Sequence, residues 1–282
     1  MSERNFGRLP AELVCEILQR AAWSFISEEP AWVASLLLVC RNASTWIRPT
    51  LYECVRFDMR TQDALFSLVA TKDPSFFSHT KHLVLMWALP MGGVQQRFLD
   101  SFQHVSEVTT HARGLRFLVR SPYFKPKRLF LIVPPSFEPW TEFTPALQYL
   151  THLRLIGVQH LDTILWAEIR QTMPLLSHIR LETDASWRDR DFHILTHHVT
   201  SVLAMPTCTR VLVSFTVRSD AVWAQMVSAL ESLTDPRVYV DRPSRKLPSS
   251  GITQSIVPSY RAGFDLWMSG STVVHPPNAN CS

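Results

Sequence analysis

Apolar residues recur along this chain in two rhythms, and the change from one to the other divides it. From the N-terminus as far as Phe57 the period is that of a helix. Residues 10–23 place Leu13, Val14, Ile17, Leu18 and Ala21 on one face, with Glu12, Glu16 and Arg20 elsewhere on the cylinder. Pro10 suits the first helical position, where its missing N–H costs nothing. Residues 24–29 read as a connector. Pro30 opens a second predicted helix that runs through Cys40 and is apolar almost all round, with Trp32, Val33, Leu36, Leu37, Leu38 and Val39. A helix without a polar face is buried or covered by a partner. A short third helix, about residues 42–48, is expected to stop at Pro49. Cys54-Val55-Arg56-Phe57 then alternates and reads as a strand.

Beyond that point short apolar strands alternate with amphipathic helices. Strands are predicted at residues 81–85, 127–131, 151–155, 177–181, 210–213 and 237–240, several in the form polar-polar-Leu/Ile-x-Leu. Their central residues Leu129, Leu153, Ile179, Leu212 and Val238 follow one another at similar intervals, the step from Ile179 to Leu212 being the longest. The longer gap from Leu83 to Leu129 leaves room for one more unit, with residues 114–119 as the expected strand. Helices are predicted at 61–71, 161–173, 191–205 and 219–233, the last with Ser219 or Asp220 as N-cap. A strand and a helix recurring at about 20–29 residues characterise a leucine-rich-repeat solenoid. The repeat here is degenerate, because no asparagine follows the strands. The alternative is a closed α/β domain with parallel strands. From residue 241 onward the periodicity is lost, and 241–282 are expected to form a C-terminal cap and a loose tail.

Composition narrows what such a chain can do. Its 282 residues suffice for one large domain or two small ones at roughly 100–200 residues each. Charged residues make up 18%, against roughly 25% in ordinary soluble domains. There are only 8 glycines, beside 9 Trp and 16 Phe. Only Gly92 and Gly93 lie close together, and neither G-x-G-x-x-G nor G-x-x-x-x-G-K occurs, so the loops that cradle phosphates are missing. No G-x-S-x-G elbow is present either. The cysteines (Cys15, Cys40, Cys54, Cys208 and Cys281) are odd in number and form no C-x-x-C, which argues for buried free thiols in a reducing compartment. The apolar run at 31–40 is about half of the roughly 20 residues that span a bilayer, and no signal-peptide core precedes Pro10. A soluble, non-secreted protein of the cytoplasm or nucleus is expected, with no membrane partner.

Three clusters bear on chemistry. His193 and His197 stand four apart on a predicted helix, followed by His198, a spacing able to hold zinc. No glutamate follows His193, so the metalloprotease motif is absent, and a solvated or half-buried helix face is the expected reading. Asp184, Asp189 and Asp191 with Arg188 and Arg190 surround Trp187. This reads as a solvated loop, with Trp187 and Arg188 as candidates for contact with a target protein. Arg237, Arg242, Arg245 and Lys246 form a basic cluster, but a short one without interleaved aromatics, so nucleic acid is not expected. Residues 1–55 carry a net charge of −1 and the remainder +5. No cofactor, metal or catalytic residue is assigned, and the chain is not expected to be an enzyme.

The N-terminal residues carry a resemblance. Leu9-Pro10-x-Glu12-Leu13-x-x-Glu16-Ile17-Leu18, then Leu36-Leu37-Leu38-Val39-Cys40-Arg41, then Trp46-Ile47-Arg48-Pro49-Thr50-Leu51-Tyr52-Glu53-Cys54-Val55 resemble in order the three signatures of a fungal-type F-box protein with degenerate leucine-rich repeats. The stretch from Leu9 to Cys40 and the one from Cys40 to Trp46 are both longer than in a compact F-box. The resemblance implies an α/β chain with a three-helix F-box at 6–57 and an irregular leucine-rich-repeat-like domain at 58–240. It implies a substrate-recognition subunit of an SCF-type ubiquitin ligase. The F-box would dock a Skp-type adaptor and through it a cullin–RING ligase, while the repeats bind an unknown target. The F-box protein itself performs no chemistry and raises the target's effective concentration. Leu9, Pro10, Leu13, Ile17, Leu36, Val39 and Trp46 are the candidate adaptor contacts or their support, and some of them must be core. A non-ligase interaction scaffold using the repeat surface is the alternative.

Overall fold

The computed structural model describes residues 9–26, 30–57, 59, 61–86, 93–132, 140–158, 164–183, 192–215, 220–241, 267–268 and 270–273. The chain divides into two compact units, Met1–Val55 with Pro248–Phe264, and Arg56–Leu247 with Asp265–Ser282.

The first unit holds α1 (Ala11–Phe25), α2 (Pro30–Leu36) and α3 (Arg41–Glu53). Ala22, Ile26, Val33, Ala43 and Ile47 form its buried core, with Leu18, Leu36, Leu37 and Leu51 packed against them. Pro10 is the extended N-cap of α1 rather than its first residue, its carbonyl accepting from Val14 N at 3.1 Å. The second helix does not reach Cys40. The Ser35 hydroxyl donates to the Trp32 carbonyl at 2.6 Å. Leu37, Leu38 and Val39 then each bond three residues back, which winds the chain into tight turns. Cys40 is extended, and its thiol accepts from Ala43 N at 3.4 Å, so it caps α3 and is exposed rather than buried. The third helix runs through Pro49, contrary to expectation. Buried Ala43, Ile47 and Thr50 keep helical spacing across it, while Pro49 faces solvent. Packing of that inner face overrides the proline's lost hydrogen bond.

The second unit is a mixed α/β structure on an open, largely parallel sheet. Its strands are β1 (Cys54–Phe57, within which the chain passes between units), β2 (His82–Leu85), β3 (Glu107–His111), β4 (Arg128–Ile132) and β5 (His152–Ile156). They continue as β6 (His178–Thr183), β7 (Arg210–Phe215), β8 (Val238–Asp241) and β9 (Ser271–Thr272). Spatial order equals chain order from β1 to β9. Strands β2 to β8 pair in parallel, and β9 is antiparallel on β8. Seven further helices connect the described strands: α4 (Gln62–Thr71), α5 (Val94–Ser101), α6 (Ala112–Leu118), α7 (Thr144–Leu147), α8 (Ile164–Thr172), α9 (Phe192–Leu203) and α10 (Asp220–Glu231).

The register makes the recurrence explicit. His82, Glu107, Arg128, His152, His178 and Arg210 face one another in sequence, one from each strand from β2 to β7. The unit missing between Leu83 and Leu129 is β3, and residues 114–119, expected as a strand, lie mostly in α6. β3 escapes an apolar search because Thr109 and Thr110 occupy two of its three buried positions. Both hydroxyls are satisfied: Thr110 Oγ1 donates to the Leu85 carbonyl at 2.8 Å, and Thr109 Oγ1 lies 2.8 Å from His82 Nε2.

Strand side chains alternate between two faces. On one, the rows Leu83–Val108–Leu129–Leu153–Ile179–Val211–Val238 and Leu85–Thr110–Leu131–Leu155–Leu181–Val213–Val240 are buried. Helix α6 lies on this face: a Cβ on its Gly114 would fall 2.0 Å from Thr110 Oγ1. Right-handed crossovers that always step the same way put successive helices on one side of a sheet. The order never reverses among the described strands, so they make no switch point of the kind at which open α/β sheets bind ligands.

At the β1 end the core is aromatic. The Phe57 ring lies 5.1 Å from Phe66, 5.0 Å from Phe98 and 5.8 Å from Phe102, centre to centre, and Phe77 and Phe117 extend the cluster. Phe98 touches four of these rings and is fully buried. Phe98→Ala is expected to lower unfolding free energy by about 3–5 kcal/mol through lost burial and a residual cavity, read by urea denaturation.

Candidate interaction surfaces

In the first unit the predicted adaptor residues separate into two groups. Leu9, Leu13 and Ile17 are 56%, 46% and 55% exposed, Val39 is 66% exposed, and Pro10 is exposed as well. Leu36 packs on the core. Trp46 is half-buried, its carbonyl accepting from Gln19 Nε2 at 3.4 Å. Helix α1 is therefore apolar on two sides. Leu18 and Ala22 turn inward, while Leu13 and Ile17 stand outward one turn apart, beside the exposed Glu16–Arg20 ion pair, and exposed Leu9 precedes the helix. The single face expected from sequence is too broad, because Leu13 and Ile17 do not share the core side. Phe25 and Trp32 meet edge to face at 5.0 Å and are also exposed, as is Leu38. Seven of the twelve exposed large apolar residues described thus fall between Leu9 and Val39, so the apolar excess of this unit lies at its surface and not only in α2.

In the second unit the other sheet face carries polar side chains that are buried or half-buried. Glu107 and Arg128 pair at 2.7 Å. His152 and His178 stack with ring centres 4.4 Å apart and planes within 13°. Arg210 lies over the Tyr239 ring, 3.4 Å from its centre. Arg154 Nη2 donates to Glu182 Oε2 at 2.7 Å, Arg180 Nε bonds the other carboxylate oxygen, and Arg180 Nη2 reaches Asp241 Oδ2 at 3.1 Å. A buried ion needs such multiple partners to repay desolvation. Burial works to raise the Glu182 pKa, but the two guanidinium groups outweigh it and hold the carboxyl below its usual range. Burial lowers the Arg154 pKa against the opposing pull of Glu182. Sequence reasoning missed this face. The signal was present: His152-Leu153-Arg154-Leu155 and His178-Ile179-Arg180-Leu181 repeat the same polar and apolar order, which puts two histidines and two arginines in register.

The remaining candidates do not converge. His193 and His197 are exposed on α9 and line a shallow groove against α10, while His198 is buried and accepts from Trp166 Nε1 at 2.8 Å. Among the described residues no three His, Cys, Asp or Glu side chains gather as a metal site. Arg237 is held internally by Asp235 at 2.7 Å and by the Cys208 and Leu203 carbonyls at 3.0 Å each. Burial pushes the Cys208 thiol up to about 11. Trp187, Arg188, Asp184, Asp189, Asp191, Arg190, Arg242, Arg245, Lys246 and Cys281 lie outside the described residues. No helix among the described residues is long and apolar enough to cross a membrane. No protein-family model matches the chain, and no curated protein matches it in sequence.

Burial pushes the His82 imidazole down to about 3 from 6.5. The unfolded chain therefore takes up this proton near pH 6.5 while the folded chain stays neutral until far lower. The stability that His82 contributes is fully present above pH 6.5 and is lost as pH falls toward 3. His82→Gln is expected to flatten the stability profile by about 1.4 kcal/mol per pH unit across that window, read from urea midpoints at stepped pH.

Proposed function

We propose that this chain is a substrate-recognition subunit of an SCF-type ubiquitin ligase. In this reading the first unit is an F-box that docks a Skp-type adaptor, and the second is an irregular leucine-rich-repeat-like solenoid that binds a target protein. The chain performs no chemistry of its own and acts in the cytoplasm or nucleus. The observation that carries the reading is the exposed pair Leu13 and Ile17 on α1, with exposed Leu9 just before it, on a unit whose described core is the small cluster of Ala22, Ile26, Val33, Ala43 and Ile47. A unit so small gains much from a partner that covers its apolar surface, at about 25 cal/mol per Å². Val39 and Leu38, exposed between α2 and α3, add to that surface, and Leu36 and Trp46 support it from within. The strand order, stepping without reversal, supports the repeat reading for the second unit.

Leu13→Asp with Ile17→Asp leaves the buried cluster intact and replaces two apolar contacts with charges. Each buried side chain of this size is worth about 1.5–3 kcal/mol, so adaptor binding by the full chain is expected to weaken at least a hundredfold. The measurement is titration of purified adaptor with wild-type and variant chains of equal thermal stability. A wild-type chain that does not bind the adaptor contradicts the ligase reading and leaves the interaction scaffold.

A further inference from the structure

The polar face of the sheet is occupied by the chain's own C-terminal segment. Trp267 is only 4% exposed. Its ring sits 5.6 Å from Phe130 on β4 and 4.8 Å from His152 on β5, centre to centre. Three positions on, Gly270 has φ +90, and a Cβ there would lie 2.7 Å from Leu212 Cδ1 on β7 and 2.9 Å from the Val240 carbonyl oxygen. Ser271 and Thr272 then pair antiparallel with Val240 and Tyr239, and Val273 N donates to the Val238 carbonyl at 3.1 Å. Phe130 and Leu212 share one row of the register, the row that also carries Arg154 and Arg180. The segment thus crosses the sheet from β5 to β8. Trp267 and Met268 lie in a turn and Gly270 in a bend, and Ser271 and Thr272 join the β8 edge.

The attachment is slight beside the rest of the sheet. Among the described residues β9 pairs through Ser271 and Thr272, with Val273 N as one further donor, whereas β6 and β7 pair along their whole length from His178 to Thr183. A two-residue strand at a sheet edge belongs to the low-stability end of local opening. What the strap offers is also a recognition chemistry that needs no special fold: an aromatic ring in a side-chain pocket, a glycine where the backbones approach, and strand addition at an edge.

We propose that this face is a docking groove for an extended peptide segment with a bulky aromatic anchor, and that Trp267, Gly270 and Ser271 to Val273 hold it as an intramolecular stand-in. A partner segment enters by displacing Trp267 from Phe130 and His152 and pairing with Tyr239–Val240 in place of Ser271–Thr272. The inference rests on the receptor role above in naming this surface as the place where the target binds. Its test is separate, because adaptor binding reads α1 and peptide exchange reads the strap.

The probe is a fluorescein-labelled peptide of residues 266–274, titrated into the full chain. Wild type, with the groove filled, is expected to bind it at least tenfold more weakly than a Trp267→Ala/Gly270→Ala variant. The same peptide with its tryptophan replaced by alanine should lose binding to the variant. Equal binding to both chains, or no binding to a variant whose melting curve is still cooperative, overturns the proposal. Should the variant fail to fold, hydrogen exchange on the wild type decides. The Thr272 and Val273 amides must exchange at least a hundredfold faster than those of β6, and exchange only through global unfolding overturns it.

Discussion

The second unit depends on a single constraint: parallel strands that always step to the same side. Each strand and helix is too small to bury its own apolar face. Stacking in chain order joins the faces into two continuous rows, from Leu83 to Val238 and from Leu85 to Val240. The constraint fixes α6 on those rows, where Gly114 has room for no side chain above Thr110. On the opposite face the described residues include Trp267 against Phe130 and His152. That face is where Glu107, Arg128, Arg154, Arg180, Glu182 and Asp241 neutralise one another along the sheet, and where Trp267 finds its pocket.

Strands were legible where burial uses aliphatic side chains. The six strands expected beyond Phe57 overlap observed ones, because Leu, Ile and Val at alternate positions can be read as such. β3 was hidden because its inward Thr110 meets the Leu85 carbonyl through a hydroxyl, a contact no hydropathy pattern reveals. Its Val108-Thr109-Thr110 run is β-branched throughout, and that was the available signal. Helix ends were the least legible feature. Ser35 and the tight turns after it shorten α2, and buried Ile47 and Thr50 carry α3 past a proline. The strap was illegible, since a tryptophan in a stretch without periodicity gives no indication of which surface it will cover.

The candidate adaptor surface was legible residue by residue but not as geometry. Helical spacing groups Leu13, Val14, Ile17, Leu18 and Ala21 together, and only the packed unit separates the outward Leu13 and Ile17 from the inward Leu18 and Ala22. The low charge and abundant apolar residues of the chain thereby take two physical forms. In the second unit they are enclosed by stacking. In the first, Leu9, Leu13, Ile17, Phe25, Trp32, Leu38 and Val39 are exposed among the described residues.

The most direct measurement of this account is hydrogen exchange of the full chain with and without saturating purified Skp-type adaptor. The account predicts slower exchange in peptides covering residues 9–20, with no change across β4 to β7. Unchanged exchange at residues 9–20 in a chain that has bound the adaptor would contradict it, because the outward face of α1 would then not be the surface that docks.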